Sequence, residues 1–179
     1  MTKKVVISVV CFTLLSGMLR VKVEAQASGE YQVKAAFLYN FLKFVDWPAQ
    51  SFASDSSPFI IGVVGDDRFN SAIDQAISGK TANGRSIIAK RFKSFKSLTY
   101  CHILFISTSE RDNVRQILAT TGPGVLTVSE SDGFIQSGGI INFTIVDSKV
   151  RFEINHSAAD RAGVKISAKL LSLARAVRN

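Results

Sequence analysis

The chain has 179 residues and a formal net charge of +8, from 22 basic and 14 acidic side chains. Hydrophobic residues make up 46% of it, which excludes a disordered chain, and two cysteines are too few for a disulfide-stapled fold. The length suits one domain, and the positive charge raises the question of a nucleic-acid partner.

Residues 1–25 have the layout of a secretory signal peptide. Lys3 and Lys4 supply a positive start, and the apolar run from Val5 to Leu15 is too short to span a bilayer. The tripeptide Val23-Glu24-Ala25 offers small or β-branched residues at the cleavage positions. We predict cleavage after Ala25 and an exported domain over residues 26–179. An uncleaved membrane anchor and a buried N-terminal helix are the alternatives.

Cleavage would change both the charge and the cysteine count. It removes four of the 22 basic residues and one of the 14 acidic residues, which leaves a net charge of +5. It also removes Cys11, so Cys101 becomes the single thiol and no internal disulfide can form. The apolar neighbours of Cys101 favour a buried thiol, with pairing to another molecule as the alternative. Export excludes nucleic acid as the partner.

In the first half of the chain, apolar periodicity predicts a helix, a buried strand, a second helix and a short strand. The helix over residues 31–45 has apolar side chains at helical spacing, and Pro48 follows it: Val33, Phe37, Phe41, Phe44. The run PFIIGVVGDDRF is typical of a buried strand that leads into a helix, with Asp66 or Asp67 as the cap. A short strand is predicted from Arg85 to Ala89.

The second half continues the alternation. Strands are predicted from Ile103 to Ile106 and from Val125 to Val128, separated by a helix from Glu110 to Ala119 that Ser109 caps. Two alternating segments, Ile140 to Ile145 and Val150 to Ile154, flank a polar tip and predict a β-hairpin. The apolar spacing in the last segment predicts one C-terminal helix with these core positions: Ile166, Leu170, Leu173, Val177.

Together these elements predict a single α/β domain. Its sheet is mostly parallel and flanked by helices on both faces, with a C-terminal antiparallel hairpin, because strands that alternate with helices pair in parallel.

The sequence offers no catalytic pattern. The segment Gly62 to Gly65 lacks the glycine and lysine pattern of a phosphate loop, and the following Asp pair would repel a phosphate. His102 and His156 have no metal-ligand spacing to a second His or Cys, and Cys101 and His102 should point to opposite faces of a strand. We therefore predict no enzyme activity, no cofactor and no metal.

Two segments are candidates for partner binding. The segment Ala89 to Leu98 interleaves basic residues with two phenylalanines, which either anchor the loop on the core or serve an anionic surface. Phe134 and Ile135 lie in a loop rich in Ser, Asp and Gly, where they either tuck under the sheet or form a small docking patch.

Several segments, in order, resemble the YfiR-like family of bacterial periplasmic regulators. They are VKAAFLYNFLKFVDWP (33–48), PFIIGVVGDDRF (58–69), GRSIIAKRF (84–92), CHILFIS (101–107), VLTVSESDGFIQSGGIINF (125–143) and VRFEIN…AGVKISAKLLSLARAV (150–177). The resemblance implies a periplasmic α/β protein that restrains an inner-membrane diguanylate cyclase through its periplasmic sensory domain. That restraint lowers cyclic-di-GMP and biofilm formation. An OmpA-like outer-membrane lipoprotein is implied as the molecule that sequesters the regulator.

On this basis we predict a partner-binding surface, with no internal redox switch because only Cys101 remains after cleavage. The predicted interface residues are Phe134, Ile135, Arg151, Glu153 and His156. Arg151 and Glu153 would share one face of their strand. A homodimer stays open, and a periplasmic small-ligand-binding protein is the alternative function.

Overall fold

The computed structural model describes residues 29–179, so the predicted signal peptide lies outside the described residues. The first helix, α1, covers residues 29–44 and ends one residue earlier than predicted, because Val45 and Asp46 form strand β1. Its buried stripe also differs from the expected one. Ala35, Leu38 and Leu42 are almost fully buried, whereas Val33 is 45% exposed.

One eight-stranded sheet forms the centre of the molecule. Its strands have these bounds: β2 Phe59–Val64, β3 Thr81–Ala82, β4 Arg85–Phe92, β5 Ile103–Ile106, β6 Leu126–Ser129, β7 Ile141–Val146, β8 Lys149–Asn155 and β10 Ala176–Arg178. They lie in the order β10-β8-β7-β6-β5-β2-β4-β3. Strands β2, β4, β5, β6 and β7 run parallel, and the antiparallel β7–β8 hairpin confirms the predicted one. The remaining strands, β1 (Val45–Asp46) and β9 (Lys165–Ile166), pair separately.

The hairpin turn has the backbone that a tight two-residue connection requires. Asp147 and Ser148 both adopt positive φ angles, +50° and +58°. That conformation matches the twist of the flanking strands, and aspartate tolerates it better than most residues do. The register pairs Phe143 with Phe152 on one face and Thr144 with Arg151 on the other.

Four short helices follow α1, and one of them, α4, was not predicted. They are α2 Ala72–Ile77, α3 Val114–Thr120, α4 His156–Arg161 and α5 Ala168–Leu173, with 3₁₀ turns at Ala49–Ser51, Phe95–Ser97 and Thr108–Asn113. Neither Asp66 nor Asp67 caps α2: Ser71 occupies that position, and the Asp67 carboxylate instead accepts from the Phe69 backbone N–H.

Two further helix predictions were wrong in detail. The predicted helix from Glu110 starts as the 3₁₀ turn, whose N-cap position is Ser107, and the Ser109 hydroxyl instead accepts from the Asp66 N–H. The predicted C-terminal helix is divided into β9, α5 and β10, because Ile166 pairs with Val45 and Val177 pairs with Ile154. Ser167 does cap α5, accepting from the Leu170 N–H.

Helices cover both faces of the sheet, as predicted. One core cluster joins α1, α2 and α4 to one face, where Phe37 and Phe41 of α1 pack on Phe143 and Phe152 of the hairpin. The second cluster lies on the other face and is formed by α3 with Leu104, Ile106 and neighbouring residues. Burying two apolar layers in this way is the main contribution to the stability of such a domain.

Candidate functional site

The predicted docking loop is buried. Phe134 is 1% exposed and Ile135 is 4% exposed, so the prediction of an exposed patch at these two positions is wrong. The alternative, that both side chains tuck into the protein, is confirmed. The Phe134 ring packs so closely on Gly139 that a side chain there would lie 2.2 Å from it. Burial of a phenylalanine side chain is worth about 2–3 kcal/mol, which outweighs the polar composition of the loop.

The charged members of the predicted interface differ in exposure: Arg151 is exposed, His156 is half-exposed, and the Glu153 side chain is only 16% exposed. Arg151 is exposed and shares one face of β8 with Glu153, as expected from strand alternation. Glu153 pairs with Arg175, 3.3 Å away, in the segment before β10. His156 begins α4, and its Nδ1 lies 3.2 Å from the Asp160 carboxylate. The binding role of these residues stays a prediction.

A buried polar cluster lies at the carboxyl edge of the parallel strands. Lys34 of α1 is 2% exposed, and its ammonium group contacts the carboxylates of Glu30 and Glu130. Glu130 directly follows β6, and its other oxygen accepts a 2.6 Å hydrogen bond from the Tyr31 hydroxyl. Each charge is thus paired on removal from water, as a buried ion pair requires.

The cluster controls the protonation of Tyr31. Burial, followed by the hydrogen bond to Glu130, raises the pKa of Tyr31 well above its usual range. Arg68, which follows β2, interacts with the same hydroxyl, and this contact raises the pKa of the arginine. The Tyr31 hydroxyl therefore stays protonated near neutral pH and acts as a hydrogen-bond donor, and the cluster is a structural latch between α1 and the sheet.

The latch borders a cavity of about 400 Å³. Its wall includes Arg68, Thr108 and Glu130, which follow strands β2, β5 and β6. Strand β4 lies on one side of β2 and strand β5 on the other, so the chain reverses direction across the sheet at this point. In open α/β sheets, ligands bind outside the carboxyl ends of the strands at such a reversal.

A second depression separates α1 from the tip of the hairpin. It has a volume of about 420 Å³, and it is lined by Val33 and Phe37 of α1 and by Ile145 and Val150 of the hairpin. Val33 is 45% exposed and Ile145 is 51% exposed, so both leave apolar surface in contact with solvent.

The basic segment is mainly structural. Phe92 is buried and Phe95 is half-buried against the second core, as the anchoring interpretation predicted. The Arg91 guanidinium binds Asp67 at 2.9 Å and Asp74 at 2.5 Å, which fixes α2 to the end of β4.

Cys101 and His102 point to opposite faces, as predicted. Cys101 is buried in the second core, and burial raises the pKa of its thiol to about 12. His102 stacks on Phe52 at 4.5 Å, and its Nδ1 accepts from the Ile60 N–H. Burial lowers its pKa to about 4, although the nearby Ser51 carbonyl opposes this shift. Nε2 nevertheless makes no hydrogen bond of ordinary geometry.

Sequence reasoning missed the latch and the carboxyl-edge cavity. The available signal was the position of polar residues directly after predicted strands, namely Asp66 and Arg68 after β2 and Glu130 after β6. Within residues 29–179, no group of three His, Cys, Asp or Glu side chains is placed to hold a metal ion. In the same range, no helix is long and apolar enough to cross a membrane.

Comparisons with solved structures give only distant likeness. A conserved domain protein from Vibrio cholerae aligns with 66% of this chain at 10% identity and a TM-score of 0.47, covering 54% of its own length. The ABC domain in complex with L-Trp from Streptococcus pneumoniae has the same identity and TM-score, and the aligned part is 55% of its length. The chain thus spans about half of each structure.

Comparison with curated proteins finds no match. The comparison with protein-family models, in contrast, gives a match over most of the chain. The model of the DUF4154 family, described as YfiR/HmsC-like, matches residues 31–175, from the first turn of α1 to the residue before β10. This range contains both core layers, the hairpin and all of the latch except Glu30. The chain belongs to the YfiR/HmsC-like family.

Proposed function

We propose that this protein is an exported regulatory binding protein that acts in the periplasm. It restrains an inner-membrane diguanylate cyclase by binding the cyclase's periplasmic sensory domain, and so lowers cyclic-di-GMP and biofilm formation. The observation that carries the proposal is the family match over residues 31–175. The signal-peptide layout of residues 1–25 supports export, and a mature domain over 26–179 follows from it.

The mechanism requires only differential binding. A receptor that exchanges between an active and an inactive state is shifted toward the state that the regulator binds more tightly. Arg151 is exposed on β8, and Glu153 of β8 and His156 of α4 are partly exposed, so these three remain the proposed contact residues. Phe134 and Ile135 are buried, so neither is part of the accessible contact surface.

Two measurements test the proposal together. Deletion of the gene is expected to raise cyclic-di-GMP, and the purified protein is expected to capture the periplasmic domain of a cyclase encoded beside it. Unchanged cyclic-di-GMP in the deletion strain together with no capture would contradict it. An OmpA-like outer-membrane lipoprotein is the proposed sequestering partner, and its soluble domain should compete with the cyclase domain for the regulator.

A second function, binding of a small periplasmic ligand, is favoured by the carboxyl-edge cavity of about 400 Å³. Its position at the reversal of strand order is the usual place for ligands in α/β sheets. A metabolite screen by thermal shift tests this function, with Arg68→Ala as the variant that should lose any shift. A screen without shifts would count against it.

A further inference from the structure

The amino edge of the sheet, opposite the latch, holds two adjoining cavities. The first, which we call the thiol cavity, has a volume of about 310 Å³ and is lined mainly by these side chains: Phe95, Leu98, Tyr100, Cys101, Leu104 and Val125. The second, which we call the arginine cavity, has a volume of about 280 Å³ and includes Leu118, Ile140 and Arg161. Thr121, Gly122 and Val125 line both cavities.

The shared wall is held in place from both sides. Gly124 donates its backbone N–H to the Ala162 carbonyl at 2.7 Å, and its own carbonyl accepts from the Tyr100 hydroxyl at 3.0 Å. Gly124 has a φ of +74°, and a side chain there would lie 2.3 Å from the Ser51 hydroxyl. The loop between α3 and β6 is therefore fixed, so both cavities are preformed.

The thiol cavity is lined by both apolar and polar atoms, and three of its hydroxyl groups are bonded within the protein. The Thr120 and Thr121 hydroxyls both donate to the Ile117 carbonyl, and the Tyr100 hydroxyl is bonded to Gly124. The Cys101 thiol stays protonated, because burial raises its pKa. No charged side chain lines this cavity within residues 29–179. Thr99, which also lines the cavity, is exposed to solvent, so the bonded hydroxyl groups and the side chains of Phe95, Leu98, Leu104 and Val125 leave room for an apolar ligand group.

The arginine cavity differs in one respect. Arg161 is its one charged lining residue among those described, and it is exposed on the last turn of α4. Its guanidinium makes no ion pair with a carboxylate in the described part of the chain, whereas Arg91 and Arg175 do. The neighbouring Thr127 hydroxyl is already occupied by the Ile140 N–H. A free guanidinium beside an apolar cavity is a suitable partner for a carboxylate.

We propose that the amino edge binds an alkyl carboxylate, with its chain in the thiol cavity and its carboxylate on Arg161. The ligand would pass over Thr121, Gly122 and Val125, which line both cavities. The inference does not depend on the regulatory role, whose proposed contacts are Arg151, Glu153 and His156, although Arg161 and His156 lie at opposite ends of the same helix, α4.

Calorimetric titration of the purified protein with decanoate, decanol and decylamine, each below its micelle concentration, tests the proposal. We expect decanoate to bind about tenfold more tightly than decanol, because only the carboxylate gains a charge-assisted bond. Decylamine should bind more weakly than decanol. The absence of decanoate binding, or equal affinity for decanoate and decylamine, would overturn the proposal.

Separate variants test the site of the ligand's alkyl chain and the site of its carboxylate. Leu98→Trp fills the thiol cavity from a half-buried loop position and should abolish binding of both decanoate and decanol. Leu171→Trp, at a half-buried leucine packed on the other core, is the matched control and should bind normally. Should Leu98→Trp fail to fold, as judged by circular dichroism, Thr121→Trp in the shared wall replaces it.

Arg161→Gln should reduce decanoate affinity to the level of decanol and leave decanol unchanged. Lys165→Gln, which neutralises an exposed residue of β9, is its control and should preserve the preference for decanoate. A preference for decanoate that survives Arg161→Gln would overturn the assignment of the carboxylate to Arg161.

Discussion

Lys34 and Glu130 lie 96 residues apart in the chain and form an ion pair that is almost fully removed from solvent. The pair joins the first helix to the carboxyl end of β6, and Glu30 and Tyr31 complete it. No local feature of the sequence requires a lysine to be buried on α1. The latch is thus a property of the tertiary structure.

We expect Glu130→Ala to lower the free energy of unfolding by about 3 kcal/mol, because it leaves the buried ammonium of Lys34 with Glu30 alone. Urea denaturation at pH 7 measures the change. Glu153→Ala breaks the exposed pair with Arg175 and is the control, with an expected loss below about 1 kcal/mol. Equal losses in the two variants would show that the latch is no stronger than a surface pair.

The buried imidazole of His102 should make stability depend on pH. Burial lowers its pKa from 6.5 to about 4 in the folded protein. Between these two pH values, His102 is therefore protonated in the unfolded chain and neutral in the folded one. The contribution of neutral His102 to the free energy of unfolding should therefore be fully present above pH 6.5. It should fall as the pH drops toward 4, by at most about 1.4 kcal/mol per pH unit. Urea denaturation at several pH values measures this slope.

His102→Phe tests the origin of that slope. The variant loses the acceptor for the Ile60 N–H, so it should be less stable at pH 7, but the part of the slope between pH 6.5 and 4 due to His102 should disappear. His156→Gln is the control, since it removes a half-exposed histidine and should keep the slope. An unchanged slope in His102→Phe would refute the assignment.

The charged face of the hairpin should contact the cyclase domain. Arg151→Glu reverses an exposed charge and is expected to weaken capture of the cyclase domain at least tenfold without changing the unfolding transition. Ile145→Asp is a matched control, because it alters an exposed position on the opposite face of the same hairpin. Capture that survives Arg151→Glu would remove this face from the interface.

Phe134 should matter for folding and not for direct contact. Phe134→Ala deletes a ring that is 1% exposed and should cost about 3–5 kcal/mol of unfolding free energy. At a temperature where the variant remains folded, it should still capture the cyclase domain. Loss of capture by a fully folded Phe134→Ala protein would restore the docking role that its burial argues against.

Much of the fold was predictable because its signals are local. The four apolar residues Ile103–Ile106 form β5 as predicted, and alternating residues around a polar tip identified the hairpin. Local apolar spacing failed at the C-terminus, where residues at helical spacing take part in two strands. There, pairing of Ile166 with Val45 and of Val177 with Ile154 outweighed helix periodicity.

The functional surfaces were less predictable, for two physical reasons. Phe134 looked exposed because its neighbours are polar, but the approach of its ring to Gly139 depends on how the whole loop folds back. Lys34 has no local sequence signal of burial, and its partner Glu130 is brought to it only by the parallel sheet. In contrast, the shared face of Arg151 and Glu153 followed directly from strand alternation.

The packing of α1 on the hairpin has a kinetic consequence. Phe37 and Phe41 pack against Phe143 and Phe152, which are synthesised about a hundred residues later. Loop closure over that distance is slow, and the helix exposes its aromatic side chains until the hairpin has emerged. Until the hairpin is synthesised, the aromatic side chains of α1 therefore have no native partner. A chaperone that holds unfolded chains is expected to bind at α1.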